Sequence, residues 1–263
     1  MTIPTYSLDS IQTEPEPILD KCRSRLPCPQ CGKVVKYFCY RCYLVVGVDP
    51  ERIPRLTLPV KLQIYKHHLE RDGKSTAVHA KIIAPDDVTI HTYPNVPLNL
   101  ENIERSVLLF PGPDAKTLEE IDPNSFDQII VIDGTWRQAQ AMVKYTEGLD
   151  RVQKVTIQPR ATRFWRYQQF SDNHLATIEA IYFFYREYYD AYLRFKSSSG
   201  TQPNKYSGQY DDLMFYYKYF YNLIQRTYQA NPTKLYNRRQ RTGYIKYDPT
   251  DNSDTLSSTE KRD

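Results

Sequence analysis

DQIIVIDGTWRQAQAMVK, residues 127–144, is the stretch that decides how this chain folds. Asp127–Ile132 is a short, nearly continuous apolar run with β-branched residues, the pattern of a strand covered on both faces. Asp133-Gly134-Thr135-Trp136 follows at once, and Arg137–Lys144 then takes up helical spacing. A buried strand running straight into a helix is the unit of a parallel α/β sheet, and such sheets bind ligands at the carboxyl ends of their strands. Asp133 lies at that place. It either caps the helix or serves a site, and Trp136 either paves a pocket or fills the core.

Working outward, Ser106–Phe110 (SVLLF) reads as a second buried strand, stopped by Pro111-Gly112-Pro113. Val152–Ile157 is a third. Leu58–Tyr65, Ala80–Ala84 and Val88–Tyr93 are short β-like runs between charged turns. His174–Lys196 carries Leu175, Ile178, Ile181, Tyr185, Tyr188 and Tyr192 at helical spacing, with Asp172 or Asn173 placed to cap it. Ser197–Ser207 reads as a loop and Tyr210–Tyr228 as an aromatic-rich helix. The class is therefore α/β with a largely parallel sheet. Residues 1–20 are rich in Pro, Glu and Ser and are expected to be disordered. Residues 21–50 form a cysteine-rich segment, 51–232 the main domain, and 233–263 a basic polar tail.

The chain has 263 residues and a net charge of +4, which permits nucleic acid as a partner without requiring it. It contains 23 Tyr, side chains that pack helices but also stack on unpaired bases. No run approaches the roughly 18 apolar residues of a membrane span, and the N-terminus lacks the apolar core of a signal peptide. The expected compartment is the cytosol or the nucleus.

Cys28-Pro-Gln-Cys31 and Cys39-Tyr-Arg-Cys42 are two C-x-x-C pairs. Each such turn aims two thiolates at one ion, and two turns complete a tetrahedral zinc site. Gly32 suits the tight turn of a zinc knuckle. The short gap between the pairs implies that both knuckles share one very short hairpin. With four thiolates the ion has no open position, so this zinc is expected to be structural. Cys22 is left over as an inert or exposed thiol.

Other apparent signals fail. Gly73-Lys74-Ser75-Thr76 imitates the end of a phosphate-binding loop, but His68 stands where the required glycine should be. His67 and His68 are adjacent and cannot both face one ion from a regular element. No G-x-S-x-G elbow supports a hydrolase. More promising, Thr177 and Glu179 interrupt the apolar start of the long helix. A buried Glu179 needs an arginine, a backbone amide or a ligand amine as partner. Arg160, Arg163 and Arg166 interleave with Phe164, Trp165 and Tyr167, an alternation that suits phosphate contact with base stacking, or a plain amphipathic strand.

In combination these motifs resemble the DTW-domain family. The resemblance rests on D-x-T-W at Asp133–Trp136, LLFPG at Leu108–Gly112, LATIEA at Leu175–Ala180, GKSTAVHA at Gly73–Ala80 and the double C-x-x-C pair. The FWRYQ run Phe164–Gln168 and TIEAIYFF at Thr177–Phe184 are most similar to a eukaryotic branch. The similarity spans roughly Arg25 to Pro232.

The resemblance implies a SPOUT-like fold whose trefoil knot holds S-adenosylmethionine. It implies transfer of the 3-amino-3-carboxypropyl group to N3 of a D-loop uridine in tRNA, with release of methylthioadenosine. Asp133, Thr135 and Trp136 would then be catalytic, and Pro111, Gly112, Leu175, Thr177 and Glu179 would bind the donor. Glu179 would meet its ammonium, and tRNA would lie on Arg160, Arg163, Trp165 and Arg166. Loss of the N3 proton requires a base; Asp133 is the candidate if burial raises its pKa, and otherwise an orienting group. Two alternatives stay open: an S-adenosylmethionine-dependent RNA methyltransferase, and a non-catalytic zinc-ribbon RNA-binding protein. Arg238, Arg239 and Arg241, with the family, favour the nucleus.

Overall fold

The computed structural model describes residues 4–97, 103–166, 174–198, 205–231 and 244–246. Its central sheet has six strands: β1 Lys61–His67, β2 Val88–Tyr93, β3 Ser106–Leu109, β4 Lys116–Thr117, β5 Gln128–Asp133 and β6 Gln153–Thr156. They lie in the order β2-β1-β5-β3-β6-β4, and every neighbouring pair is parallel. Residues 128–133 thus form an inner strand that runs into a helix. β5 lies between β1 and β3, with Lys66 opposite Asp133 in register.

The inner strands β3 and β5 are largely apolar on both sides because both faces are covered. Leu62, Ile64, Ile129 and Val131 face one core, and Tyr65, Leu108 and Ile130 face the other. The first face packs against α1 Ala77–Ile83, α3 Thr177–Ser198 and α4 Phe215–Gln229. The second is covered by α2 Trp136–Tyr145, which inserts Met142.

Three expectations need correction. Ala80–Ala84 belongs mostly to α1 rather than to a strand. That helix is buried nearly all round, so it shows no polar face, and its alanines favour helix. The two C-x-x-C pairs do not share one hairpin. Leu26–Pro27 pairs with Val34–Val35, and Tyr37–Phe38 with Val45–Val46, so each knuckle has its own.

The N-terminal segment is also ordered from Pro4 on. Leu8, Ile11 and Leu19 are buried in the main core. Lys218 Nζ donates to the carbonyls of Ile11 and Thr13, and Thr13 Oγ1 donates to Asp212 at 2.6 Å. Few apolar residues among prolines and acids read as disorder, yet Leu8, Ile11 and Leu19 are buried in the domain, with Tyr6 and Ile18 packed against the same core. Asp172, Asn173, Tyr167, Gln168 and the tail arginines Arg238, Arg239 and Arg241 lie outside the described residues.

Candidate active site and metal centre

The carboxyl ends of β1, β5 and β3 bring His67, Asp133 and Phe110 to one edge of the sheet. Asp133 is 2% exposed. Ser75 Oγ donates to its Oδ2 at 2.6 Å, and Thr177 Oγ1 donates to its Oδ1 at 2.7 Å. Burial raises its pKa; the two hydroxyl donors and the Lys66 charge act against that rise. Asp133 therefore does not cap α2.

That cap is Thr135. Its hydroxyl accepts from the Gln138 N–H at 3.4 Å, while Gln138 Oε1 accepts from the Thr135 N–H at 2.7 Å. This reciprocal pair closes the helix start. Gly134 between them sits in a tight space, since a Cβ there would stand 3.2 Å from the His67 Cβ. Trp136 is half-buried and does not enter the core. Its ring stacks on Phe110 at 5.1 Å between centroids with 5° between planes, and His174 meets its edge at 5.3 Å. Pro111 and Gly112, next to Phe110, are exposed, and Leu175 is half-buried.

Glu179 has a different place. It is fully buried, and four protein groups donate to it. Tyr6 OH and the Arg163 N–H donate to Oε1 at 2.5 and 2.7 Å; Thr162 Oγ1 and the Ala176 N–H donate to Oε2 at 2.5 and 2.6 Å. A carboxylate offers about four acceptor sites, and here each oxygen already takes two donors. The bond from Ala176 closes the start of α3, with Glu179 three positions into the cap. The structure thus supplies the backbone amides that the sequence reading allowed as partners and leaves no oxygen over for a ligand ammonium.

The three arginines are similarly engaged. Arg160 pairs with Glu187 at 2.5 Å and covers the Phe183 ring, and Arg163 Nε donates to the Tyr6 carbonyl at 2.8 Å. Arg166 donates to the Gly73 carbonyl. Trp165, half-buried, lines a cavity of about 220 Å³ with Tyr40, Ser75, His79 and Phe220. Sequence reasoning missed Ser75 as a site residue: its loop failed the phosphate-binding pattern and entered the family resemblance as a motif, with no role given to the serine. It missed His79 and Tyr40 as well.

Cys28, Cys31, Cys39 and Cys42 converge, their sulfurs all within 4.8 Å of one another. The two knuckles repeat one geometry. Gly32 N–H donates to the Cys28 carbonyl and Tyr43 N–H to the Cys39 carbonyl, both at 2.9 Å. Gly32 and Tyr43 both turn left-handed, at φ +69° and +58°. Cys31 Sγ stands 3.6 Å from Cys39 Sγ. That is too long for a disulfide and close to the edge of about 3.8 Å expected of a tetrahedron with Zn–S near 2.3 Å. Backbone N–H groups lower the Cys28 pKa to about 7, while burial and the neighbouring sulfurs push Cys42 up to about 12. Four thiolates so close need a cation, and the set fits zinc. Cys22 is not part of it: its thiol is buried beside Gly47.

Residues 36–225 match the DTW domain model. This chain belongs to the DTW domain family. Among its relatives are proteins named tRNA-uridine aminocarboxypropyltransferase 1. The chain is 35% identical over 245 residues to that of Xenopus tropicalis, covering 77% of this chain and 80% of the relative. It is 36% identical over 247 residues to that of Mus musculus, covering 77% of each. The human protein is 33% identical over 245 residues, covering 76% of this chain and 77% of its own. In this DTW domain the D-x-T-W quartet divides its labour: an acid held at the strand end, a helix cap and an aromatic shelf.

Proposed function

We propose that this DTW-domain protein is a tRNA-uridine aminocarboxypropyltransferase that uses S-adenosylmethionine as donor and a D-loop uridine as acceptor. One observation carries the reading: buried Asp133, gripped by Ser75 and Thr177, stands beside the Phe110–Trp136 stack at the carboxyl end of an inner parallel strand. The names of its relatives support the same reaction. In that reaction a bond from uridine N3 to the substituted methylene forms as the methylene–sulfur bond breaks. The N3 proton is lost, and methylthioadenosine leaves.

The chain's own residues can do three things here. Phe110 and Trp136 offer a flat face for an aromatic ring. The backbone beyond Leu109, open at Pro111 and Gly112, lies where a donor can approach the strand ends. Asp133, its pKa raised by burial, is better matched to taking a proton near neutrality than an exposed carboxylate. Ser75 and Thr177 fix its orientation. A SPOUT-like knot and a nuclear location belong to the same proposal. The Cys28, Cys31, Cys39 and Cys42 site would hold zinc as a structural ion, since four thiolates fill its coordination.

The deciding experiment is mass spectrometry of tRNA nucleosides after incubation with protein and S-adenosylmethionine. An aminocarboxypropyl adduct on uridine is expected. A methyl adduct, or unchanged nucleosides with tight binding, would replace the reading with one of its two alternatives.

A further inference from the structure

The cysteine segment is strongly basic and borders the cavity that Trp165 and Arg166 line. Residues 21–48 contain Lys21, Arg23, Arg25, Lys33, Lys36 and Arg41 and not one Asp or Glu. The whole chain exceeds neutrality by only four charges, so the rest of it is net acidic. Even after four thiolates and a divalent ion are counted, the segment keeps a positive excess. All of these cations except Lys36 are exposed. Lys33 pairs with Asp72.

Tyr40, from the turn between Cys39 and Cys42, forms one wall of the cavity of about 220 Å³. Trp165 and Phe220 of α4 form others, and Lys74 and Arg166 line it too. The guanidinium groups of Arg25 and Arg166 both lie close enough to act on the Tyr40 hydroxyl. His79 also lines the cavity, on a helix, and is 2% exposed. Its ring is ringed by Phe38, Tyr216 and Phe220, and burial depresses its pKa to about 3, so it is neutral. Among the described residues its Nδ1 has no hydrogen-bond partner. A buried polar atom in that condition is costly unless a ligand or water completes it.

We propose that this cavity takes one unpaired base of the tRNA, stacked on Trp165 and Tyr40 and hydrogen-bonded by His79, while the cations of residues 21–48 hold the flanking phosphates. The volume favours a single ring system, since pockets for drug-sized ligands span roughly 300–1,000 Å³. Aromatic walls under a cationic rim are the means by which proteins hold single-stranded RNA. Ser75 ties the cavity to the reaction: it lines the space and donates to Asp133. A base seated there is one side chain away from the candidate proton acceptor. The zinc knuckles then act as an RNA-gripping wall as well as a structural clip.

The inference rests on tRNA being the substrate, and its test is independent of turnover. Binding of an unmodified tRNA transcript to the full chain is measured without donor, for the wild type, Trp165→Leu and Tyr40→Leu, with melting temperatures to confirm folding. Loss of stacking should weaken tRNA binding roughly 5- to 150-fold, with no change in salt slope and no change in affinity for fully paired RNA. Arg25→Ala with Arg41→Ala should weaken both RNAs and flatten the salt slope by about one counterion per charge. Transcripts carrying 4-thiouridine should photo-crosslink to Tyr40 or to residues 164–166. Two folded stacking variants that bind tRNA like the wild type, with crosslinks elsewhere, would overturn the pocket. Crosslinks as expected but unmodified uridine after incubation with donor would instead leave the pocket standing and remove the transferase reading.

Discussion

Ser75 Oγ donates to Asp133 Oδ2 at 2.6 Å across 58 residues of sequence, so the Gly73–Thr76 loop closes on the end of β5. The next residue extends the clasp, because Thr76 Oγ1 accepts from the Ile178 N–H in the first turn of α3 at 3.1 Å. Three separate motifs of the sequence thus meet around one carboxylate. Removing the Ser75 hydroxyl takes away a donor that favours the charged form. In Ser75→Ala, the acid limb of the transfer rate should therefore move to higher pH, with little loss of fold. A pH–rate profile with an unmoved acid limb would show that Asp133 ionisation is not what the rate reports.

Asp133→Asn separates activity from stability. A carboxylate whose folded pKa is raised binds its proton more tightly when folded, so it lowers stability as pH rises from the ordinary carboxylate range through the raised value. Asparagine has no such penalty. The variant should lose transfer entirely and be at least as stable as the wild type at neutral pH, with the difference shrinking or reversing on acidification. Denaturant unfolding at two pH values, read beside nucleoside analysis, checks both halves.

One equivalent of zinc is expected in the purified protein. It should be lost in a Cys28→Ser, Cys39→Ser variant and retained in Cys22→Ser. Because Val35 and Val46 pack with Cys28 and Cys39 in a small core of their own, metal loss should loosen this module first. Hydrogen exchange after chelation should rise over residues 26–46 before it rises in the sheet. Uniform exchange throughout the chain would mean that the knuckles do not open separately.

The inner strands β3 and β5 were legible because both of their faces are buried, leaving apolar runs that only a covered sheet explains. The four thiol ligands were legible for a similar reason, since paired spacing encodes their geometry locally. What the sequence did not show was long-range. Tyr43 takes the left-handed position that Gly32 takes in the other knuckle, and nothing about a tyrosine announces it. Glu179 looked available because its partners Tyr6 and Thr162 lie 173 and 17 residues away. Glu187, which pairs with Arg160, is brought beside it only by the fold.

Arg160→Ala should for that reason behave as a stability variant. It removes a half-buried ion pair and the cover over Phe183, and it strands Glu187, whose pKa burial already raises. A loss of about 1–3 kcal/mol is expected on unfolding. The salt slope of tRNA binding should stay at its wild-type value. A slope lowered by one counterion would return Arg160 to the RNA surface.

Tyr6 and Glu179 provide the sharpest test of what the first twenty residues do. Tyr6 OH donates to Glu179 at 2.5 Å, and burial together with the Glu179 charge holds the phenol well above its ordinary pKa, so the proton stays on the phenol. Its ring meets Phe183 edge-on at 4.9 Å. Tyr6→Phe keeps that packing and deletes one bond to a charged acceptor, which should cost about 1.5–3 kcal/mol. Glu179→Gln should cost more. An amide nitrogen would then face hydrogens from two directions, and the Ala176 and Arg163 N–H groups cannot rotate away. A double-mutant cycle should show strong coupling between the two positions, since they share one bond. Donor affinity should be unchanged in Tyr6→Phe if Glu179 serves only to lock Tyr6, Thr162 and the start of α3 together. Donor binding that weakens in Tyr6→Phe at unchanged stability would instead place Glu179 in the donor site and overturn the structural role assigned to it here.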